Sequence, residues 1–174
     1  MEIVSANVED AAQILNLQRL AYQSEAEIYQ DYSIAPLTQT LEELKEEFNN
    51  SVFLKFVDGK NIIGTVRARF DDGTCFIGRL IVHPKWQRKG IGTKLMQAIE
   101  TYFTNVQRYE LFTGTKSEGN IRLYQRLGYQ PFKEIAINQS VSIVYLEKHV
   151  VSYRRAFRSR NSPPALGENT ALPH

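Results

Sequence analysis

Leu80-Ile81-Val82-His83-Pro84-Lys85-Trp86-Gln87-Arg88-Lys89-Gly90-Ile91-Gly92-Thr93 reads as a strand, a basic turn and the opening of a helix. The apolar run Leu80-Ile81-Val82 lacks polar alternation, which predicts a strand buried on both faces. Pro84 stops it. Beyond the turn, Ile91, Leu95, Ile99 and Tyr102 recur at helical spacing and predict a helix over 90–104. The first turn of a helix carries unpaired N–H groups and a partial positive charge. Gly90 and Gly92 let a phosphate approach that backbone, and Arg88 and Lys89 add cationic donors. Such a turn suits a di-anion like a pyrophosphate. It is not a Walker A loop, which needs four residues between its first Gly and the Gly-Lys pair. Nor is it a dinucleotide fingerprint, because Leu95 stands where the third glycine belongs.

Working outward, residues 2–5 predict a strand. Asn7 and Asp10 predict a capped helix start, with Ala11, Ile14, Leu17 and Ala21 at helical spacing. From Gln23 to Pro36 the pattern breaks into a polar and aromatic segment holding Glu25, Glu27, Tyr29, Asp31 and Tyr32. Thr40 and Glu43 have capping-box spacing, with Leu37, Leu41, Leu44 and Phe48 as the apolar stripe. Three strands follow at 51–57, 62–70 and 74–83, joined by the turns Asp58-Gly59-Lys60-Asn61 and Asp71-Asp72-Gly73. In the second of them Val66, Ala68 and Phe70 share one face, and Arg67 and Arg69 the other. After the 90–104 helix come a strand at 109–115 and a helix at 118–127, capped by Ser117 and ended by Gly128. A strand pair at 129–136 and 141–149 closes the pattern.

The 174 residues fit one domain with a short appendage, and 43% hydrophobic with 23% charged residues is ordinary for a soluble chain. The net charge of +2 comes from the end of the chain. Residues 150–174 hold Arg154, Arg155, Arg158 and Arg160 against Glu168, leaving 17 basic and 18 acidic side chains in residues 1–149. That near-neutral part argues against a nucleic-acid partner. Residues 150–174 read as a flexible basic tail rich in Ser, Pro and Asn. Cys75 is the only cysteine, so no intrachain disulfide or thiolate zinc cluster is possible. No metal site is expected. The start lacks a secretory signal, and no apolar run nears the roughly 20 residues of a membrane span. A cytoplasmic protein is expected.

Two motifs go together. Gln87-x-x-Gly90-x-Gly92 follows a strand ending Val-His-Pro, and Asn120-Ile-Arg-Leu123-Tyr124-Gln-Arg-Leu127-Gly128-Tyr129 lies a helix and a strand downstream. This pair, with the element order over 1–149, resembles the acetyl-CoA signature of the GNAT N-acetyltransferase superfamily. The resemblance implies a mixed α/β (α+β) domain over 1–149. Its central sheet would be largely antiparallel with six or seven strands, flanked by about four helices, and a splayed strand pair would hold the cofactor. It implies transfer of an acetyl group from acetyl-CoA, as cosubstrate, to a primary amine of a small molecule, protein or peptide. Homodimers are common among such proteins.

Residue by residue, the resemblance implies that the backbone of Leu80, Ile81 and Val82 pairs with the pantetheine arm and that a strand N–H there donates to the thioester oxygen. Gln87, Arg88, Lys89, Gly90, Ile91, Gly92 and Thr93 would hold the pyrophosphate, with Asn120 nearby. Tyr124 would protonate the departing thiolate, whose thiol has a pKa near 8.5. A lysine-like amine is only about 1 part in 2,500 neutral at pH 7, so a base is useful. Many relatives carry a glutamate twelve residues before the tyrosine, where this chain has Phe112. Glu110, Glu25 and Glu27 remain open alternatives. Relatives commonly place asparagine where this chain has Ser117. Tyr29 and Tyr32 are further acceptor-site candidates, because the segment at 24–36 commonly walls the acceptor pocket.

Plainer readings stand beside these. His83, before Pro84 at a strand end, fits a structural role, and Cys75 fits a small buried residue. Tyr124 also fits a core tyrosine in line with Ile121 and Leu127. The absent glutamate at Phe112 is compatible with a non-catalytic CoA-binding module. An acetyltransferase acting on aminoacyl-tRNA is a further alternative.

Overall fold

The computed structural model describes residues 1–151. The basic tail expected from residue 150 lies outside the described residues apart from Val150 and Val151. Strand β1 (Glu2–Ser5) leads through a 3-10 turn at Val8–Asp10 into helix α1 (Ala11–Ala21). The expected cap forms: Glu9 N–H donates to Asn7 Oδ1 and Asn7 N–H to Asp10 Oδ2, both at 3.0 Å. Helices α2 (Gln23–Tyr29), α3 (Ala35–Thr38) and α4 (Leu41–Glu47) follow. The Thr40–Glu43 box also forms, with Glu43 N–H donating to Thr40 Oγ1 at 3.2 Å and Thr40 N–H to Glu43 Oε2 at 2.8 Å. Then come β2 (Val52–Asp58), β3 (Asn61–Asp71), β4 (Thr74–Val82), α5 (Ile91–Tyr102), β5 (Arg108–Gly114), α6 (Glu118–Arg126), β6 (Gln130–Ala136) and β7 (Ser142–His149).

The strands form one sheet in the order β1-β2-β3-β4-β5-β7-β6. Every neighbouring pair is antiparallel except β4–β5, which is parallel. One face is covered by α5 and α6. Leu95, Met96 and Ile99 of α5 are fully buried against Val66, Ala68, Cys75, Ile77, Leu111 and Leu146. The other face is covered by α1 and α4, where Ile14, Leu15, Leu17 and Leu44 pack on Phe53, Ile62 and Ile81.

One irregularity governs what lies between those layers. Thr65 pairs with Ile81 and Arg67 with Gly78, so Val66 alone faces both Arg79 and Leu80. The extra residue is a β-bulge, with Arg79 in the left-handed region at φ 49°. It reverses the phase of the strand. Cys75 and Ile77 face α5 before the bulge; Leu80 and Val82 face that side after it, and Ile81 turns toward α1. Pairing of β4 with β5 runs only through Thr74, Cys75 and Phe76, opposite Arg108, Tyr109 and Glu110. Beyond Phe76 the two parallel strands part.

This geometry corrects the expectation that Leu80-Ile81-Val82 is buried on both faces. Ile81 is buried, but Leu80 and Val82 are half-exposed because no strand lies beside them on the β5 side. The loop expected at 23–36 is mostly helical. With seven residues and only Ala26 and Tyr29 buried, α2 leaves no readable period before Gln30 ends it at φ 51°. Leu37 belongs to α3 instead of the helix holding Leu41 and Leu44, because extended Gln39 separates the two. Tyr102 and Phe70 project beyond the packed layers, 55% and 53% exposed, and Met96 takes an inward place on α5. Ser117 makes no capping bond; its hydroxyl is used elsewhere, as described below.

Burial pushes the Cys75 thiol and the Tyr109 hydroxyl each up to about 12, with the Glu100 carboxylate adding to both. It also lifts Tyr124 and Tyr129 well above the phenol range. In each case the folded pKa lies above the unfolded one, so the stability involved is intact below about pH 8.5 and is lost as pH climbs toward the folded values. Arg67, pushed down to about 10 by desolvation, opposes this trend as a single group. The melting temperature is expected to hold from about pH 7 to 8.5 and to fall steadily from about pH 9 to 12. A thermal melt series that stays flat to pH 11 would contradict this burial.

Candidate functional site

The parted strands open a cleft of about 600 Å³, bounded by Leu80, Ile81 and Val82 on one side and by Gly119, Asn120 and Leu123 of α6 on the other. Its far end is the turn before α5. His83 accepts from Lys85 N–H at Nδ1, 3.2 Å, and gives its own N–H to the Ile63 carbonyl at 2.8 Å, so it shapes the turn. Gln87 Nε2 donates to the Val82 carbonyl at 3.2 Å, tying the turn to the strand. Arg88 at φ 60° and Gly90 at φ 78° are both left-handed and curl the chain into the helix.

No side chain caps α5, and its first backbone bond runs from Lys94 N–H to the Gly90 carbonyl at 3.0 Å. The N–H groups of the first turn therefore lack intrahelical partners at the cleft. Of the sequence-derived cofactor residues, Leu80, Ile81, Val82, Gln87, Arg88, Gly90, Ile91, Gly92, Thr93 and Asn120 line this one cleft. Lys89 does not; its ammonium sits over the Trp86 ring, 4.8 Å from the centroid.

Tyr124 lies behind the cleft wall, 6% exposed, with its ring edge-on to Tyr129 at 6.1 Å. Burial raises its pKa far above the phenol range, with Tyr22 and Glu25 adding to the effect. The hydroxyl therefore stays protonated at neutral pH.

Helix α2 closes one side. The Ser117 hydroxyl donates to Glu25 Oε2 at 2.6 Å, and Lys116 N–H donates to Tyr29 Oη at 2.8 Å. These bonds pin α2 to the segment between β5 and α6, and they occupy the Ser117 group that the sequence assigned to a cap. Glu25 lines the cleft, whereas buried Tyr29 braces its wall. Tyr32 is 56% exposed and Glu27 is exposed; neither lines a cavity described here.

Glu110 lies elsewhere. It faces a second cavity of about 520 Å³ on the α4 side of the sheet, with Glu47, Arg67, Arg69, Phe76, Gly78 and Phe112. Its carboxylate is ion-paired with Arg108, which also holds Glu147. The two cavities take consecutive stretches of the same strand, Phe76 to Gly78 and Leu80 to Val82, and Arg79 at the bulge separates them.

Tyr22 and Arg79 escaped the sequence reading. Tyr22 lines the cleft and has the Arg79 guanidinium 5.9 Å from its ring centroid. The available signals were a charged residue inside an apolar strand and an aromatic one step past the α1 stripe. Among the described residues no cluster of His, Cys, Asp or Glu could hold a metal ion, and no helix is long and apolar enough to cross a membrane.

The profile of the acetyltransferase (GNAT) family matches residues 12–129. A curated relative, the UPF0157 protein YqkA of Bacillus subtilis strain 168, is 26% identical over 131 residues. That alignment takes in 75% of this chain but 38% of YqkA, so the chain spans well under half of that protein. Among solved structures, PaiA N-acetyltransferase from Thermoplasma acidophilum in complex with coenzyme A superposes with a TM-score of 0.72 at 17% identity, covering 86% of this chain and 98% of that one. The ribosomal-protein-S18-alanine N-acetyltransferase of Escherichia coli gives a TM-score of 0.70 at 12% identity, over 85% and 92%. At these identities the likeness is one of fold.

The two glycines of the turn differ physically. A Cβ on Gly92 would meet Leu123 Cδ2 at 3.4 Å, an ordinary contact, while a Cβ on Gly90 meets nothing but sits at φ 78°. Gly90→Ala is expected to cost about 1–2 kcal/mol in urea unfolding, from left-handed strain. Gly92→Ala is expected to stay within about 0.5 kcal/mol. The reverse order would contradict the turn geometry.

Proposed function

Because the chain belongs to the acetyltransferase (GNAT) family, we propose that it transfers the acetyl group of acetyl-CoA to a primary amine, with Tyr124 as general acid and Glu25 as general base. The observation that carries this reading is a pair of cavities lined by consecutive stretches of β4, one on each side of Arg79. One offers main-chain donors and cations, and the other opens to the same strand from the opposite face. Two substrates can then approach one point without crossing, and holding them there removes much of the entropic barrier.

The residues present fit coenzyme A. The uncapped first turn of α5 and the Arg88 guanidinium suit a pyrophosphate. The edge of β4 at Leu80–Val82 has no β5 partner, so its backbone groups are free to pair with an amide-bearing arm. Acetyl-CoA supplies a thioester, and the new N–C bond forms as the C–S bond breaks. Glu25 takes the proton lost by the amine nitrogen. Tyr124 gives its proton to the sulfur, and both groups reset through solvent. Glu25 is preferred over the other carboxylates because its charge acts on Tyr124, whereas Glu110 is held by Arg108 and Glu27 lies outside the cleft.

The relatives' substrates, a ribosomal protein's alanine among them, make a protein or peptide amine one candidate acceptor. The absence of a long apolar helix among the described residues supports action away from the bilayer interior.

Tyr124→Phe keeps the ring and its contact with Tyr129, so folding and acetyl-CoA affinity should hold. The kcat is expected to fall by about 100-fold or more. Release of free CoA thiol in the presence of an amine panel measures it. Since burial holds the Tyr124 proton, no loss of rate from this group is expected below about pH 10. An unchanged kcat in Tyr124→Phe would remove Tyr124 from the reaction.

A further inference from the structure

Tyr22 lines the cleft beside Leu80, Ile81 and Glu25, and its ring packs on the apolar cluster that holds Ile81. The Arg79 guanidinium lies 5.9 Å from the centroid of that ring. Arg79 immediately precedes Leu80 on β4, whereas the pyrophosphate turn follows Val82. Tyr22 therefore stands at the far end of the bare strand edge, where the thioester end of a pantetheine arm arrives. Three other buried tyrosines have their hydroxyls engaged. Tyr29 Oη accepts from Lys116 N–H, Tyr109 donates to the Glu100 and Phe103 carbonyls, and Tyr129 donates to Glu100 Oε1. The Tyr22 hydroxyl makes no hydrogen bond among the described residues.

Arg79 brings a charge without a counter-ion. Its Nη1 is sealed from solvent and has no hydrogen-bond partner, and among the described residues no carboxylate pairs with it. It lines neither cavity, so it reaches a ligand only through its field. A buried charge acts through a low dielectric, where its influence over several ångströms is large. Arg67 is paired with Glu47 and adds less. Burial raises the Tyr22 pKa; Arg79 pulls it back, Glu25 raises it and Arg67 lowers it. The phenol stays protonated at neutral pH, as a donor polarised by the cation at its ring. Such a place disfavours an ammonium group and favours an oxygen that is gaining negative charge.

We propose that Tyr22 is a second catalytic hydroxyl of the cleft: it donates a hydrogen bond to the thioester carbonyl oxygen as that oxygen becomes an oxyanion, and buried Arg79 strengthens the bond through its charge. The inference rests on the acetyl-transfer reading and adds a residue to it. The amine lone pair forms the N–C bond, and the carbonyl π pair moves onto oxygen. Tyr22 keeps its own proton throughout. When the carbonyl re-forms, the C–S pair leaves with sulfur, which takes the Tyr124 proton, and the amine proton goes to Glu25. The two phenols divide the work, Tyr22 serving oxygen and Tyr124 serving sulfur. A donor aimed at an oxyanion counts more in the transition state than in the ground state, so Tyr22 raises kcat and leaves acetyl-CoA affinity almost unchanged.

Acetyl-CoA isotopically labelled at the thioester carbonyl carbon, bound without amine, reports the contact in isotope-edited infrared spectra. A hydrogen bond lowers the carbonyl stretch. The band is therefore expected to move to higher wavenumber in Tyr22→Phe, to move the same way by a smaller step in Arg79→Met, and to stay in place in Tyr124→Phe. With an amine that the parent chain acetylates, Tyr22→Phe is expected to lower kcat by about 100-fold at unchanged acetyl-CoA affinity. Arg79→Met is expected to lower kcat by about tenfold in the parent chain and by less than about twofold in the Tyr22→Phe background, because it acts through that hydroxyl. Tyr22→Phe keeps the ring and its place against Arg79, and its melting temperature checks the fold. An unmoved band in folded Tyr22→Phe, or a kcat equal to the parent's, would overturn the role of Tyr22 and leave acetyl transfer standing. Release of no thiol by the parent chain with any amine, while acetyl-CoA still raises its melting temperature, would overturn both.

Discussion

The extra residue at Arg79 is what the site is built from. A regular β4 would continue its parallel pairing with β5 past Phe76 and Glu110, closing the sheet and burying Leu80 and Val82. The bulge re-aims the strand, and a strand so turned presents unpaired amides and carbonyls along one edge. Buried main-chain groups without partners are unfavourable, so the opening persists only because it reaches solvent or a ligand. The cleft, the second cavity and the charged residue between them all follow from that local change.

Around the opening, each layer supplies one ingredient. Helix α5, anchored by Leu95, Met96 and Ile99, aims its uncapped first turn at the cleft. Helix α6 offers Asn120 and Leu123 to the wall and carries Tyr124 behind it, in a setting dry enough to keep a phenol protonated. The short α2 is held down by the Ser117–Glu25 and Lys116–Tyr29 bonds, which bring a carboxylate to the rim. On the opposite face, Arg67 pairs with Glu47 at the wall of the second cavity. Two ligand-sized spaces therefore share one strand.

Much of this was legible in the residues. The turn at Gln87–Gly92, the Asn7 and Thr40 caps and the hairpins at Gly59 and Gly73 use short-range chemistry, and they form where the sequence puts them. The family likeness drawn from Gln87, Gly90, Gly92 and Leu123-Tyr124 agrees with the sheet order and with the profile over residues 12–129. What was hidden depends on long-range packing. Helix α2 has too few turns for a period, and Ser117 serves Glu25 because the fold brings them together across 92 residues of chain. Glu110 shares a face with Phe112 as alternation suggests, and that face lines the second cavity instead of the cleft. The bulge leaves only a faint compositional mark, Gly78 and Arg79 side by side in an apolar strand.

The amide resonances of the isotopically labelled chain, followed as coenzyme A is added, test the central claim most directly. If the strand edge and the helix tip grip the ligand, the N–H signals of Leu80–Val82 and of Gly90–Thr93 move together and saturate with one affinity. Should those signals stay put while coenzyme A binds and shifts residues elsewhere, the opening beside β4 is not the binding site.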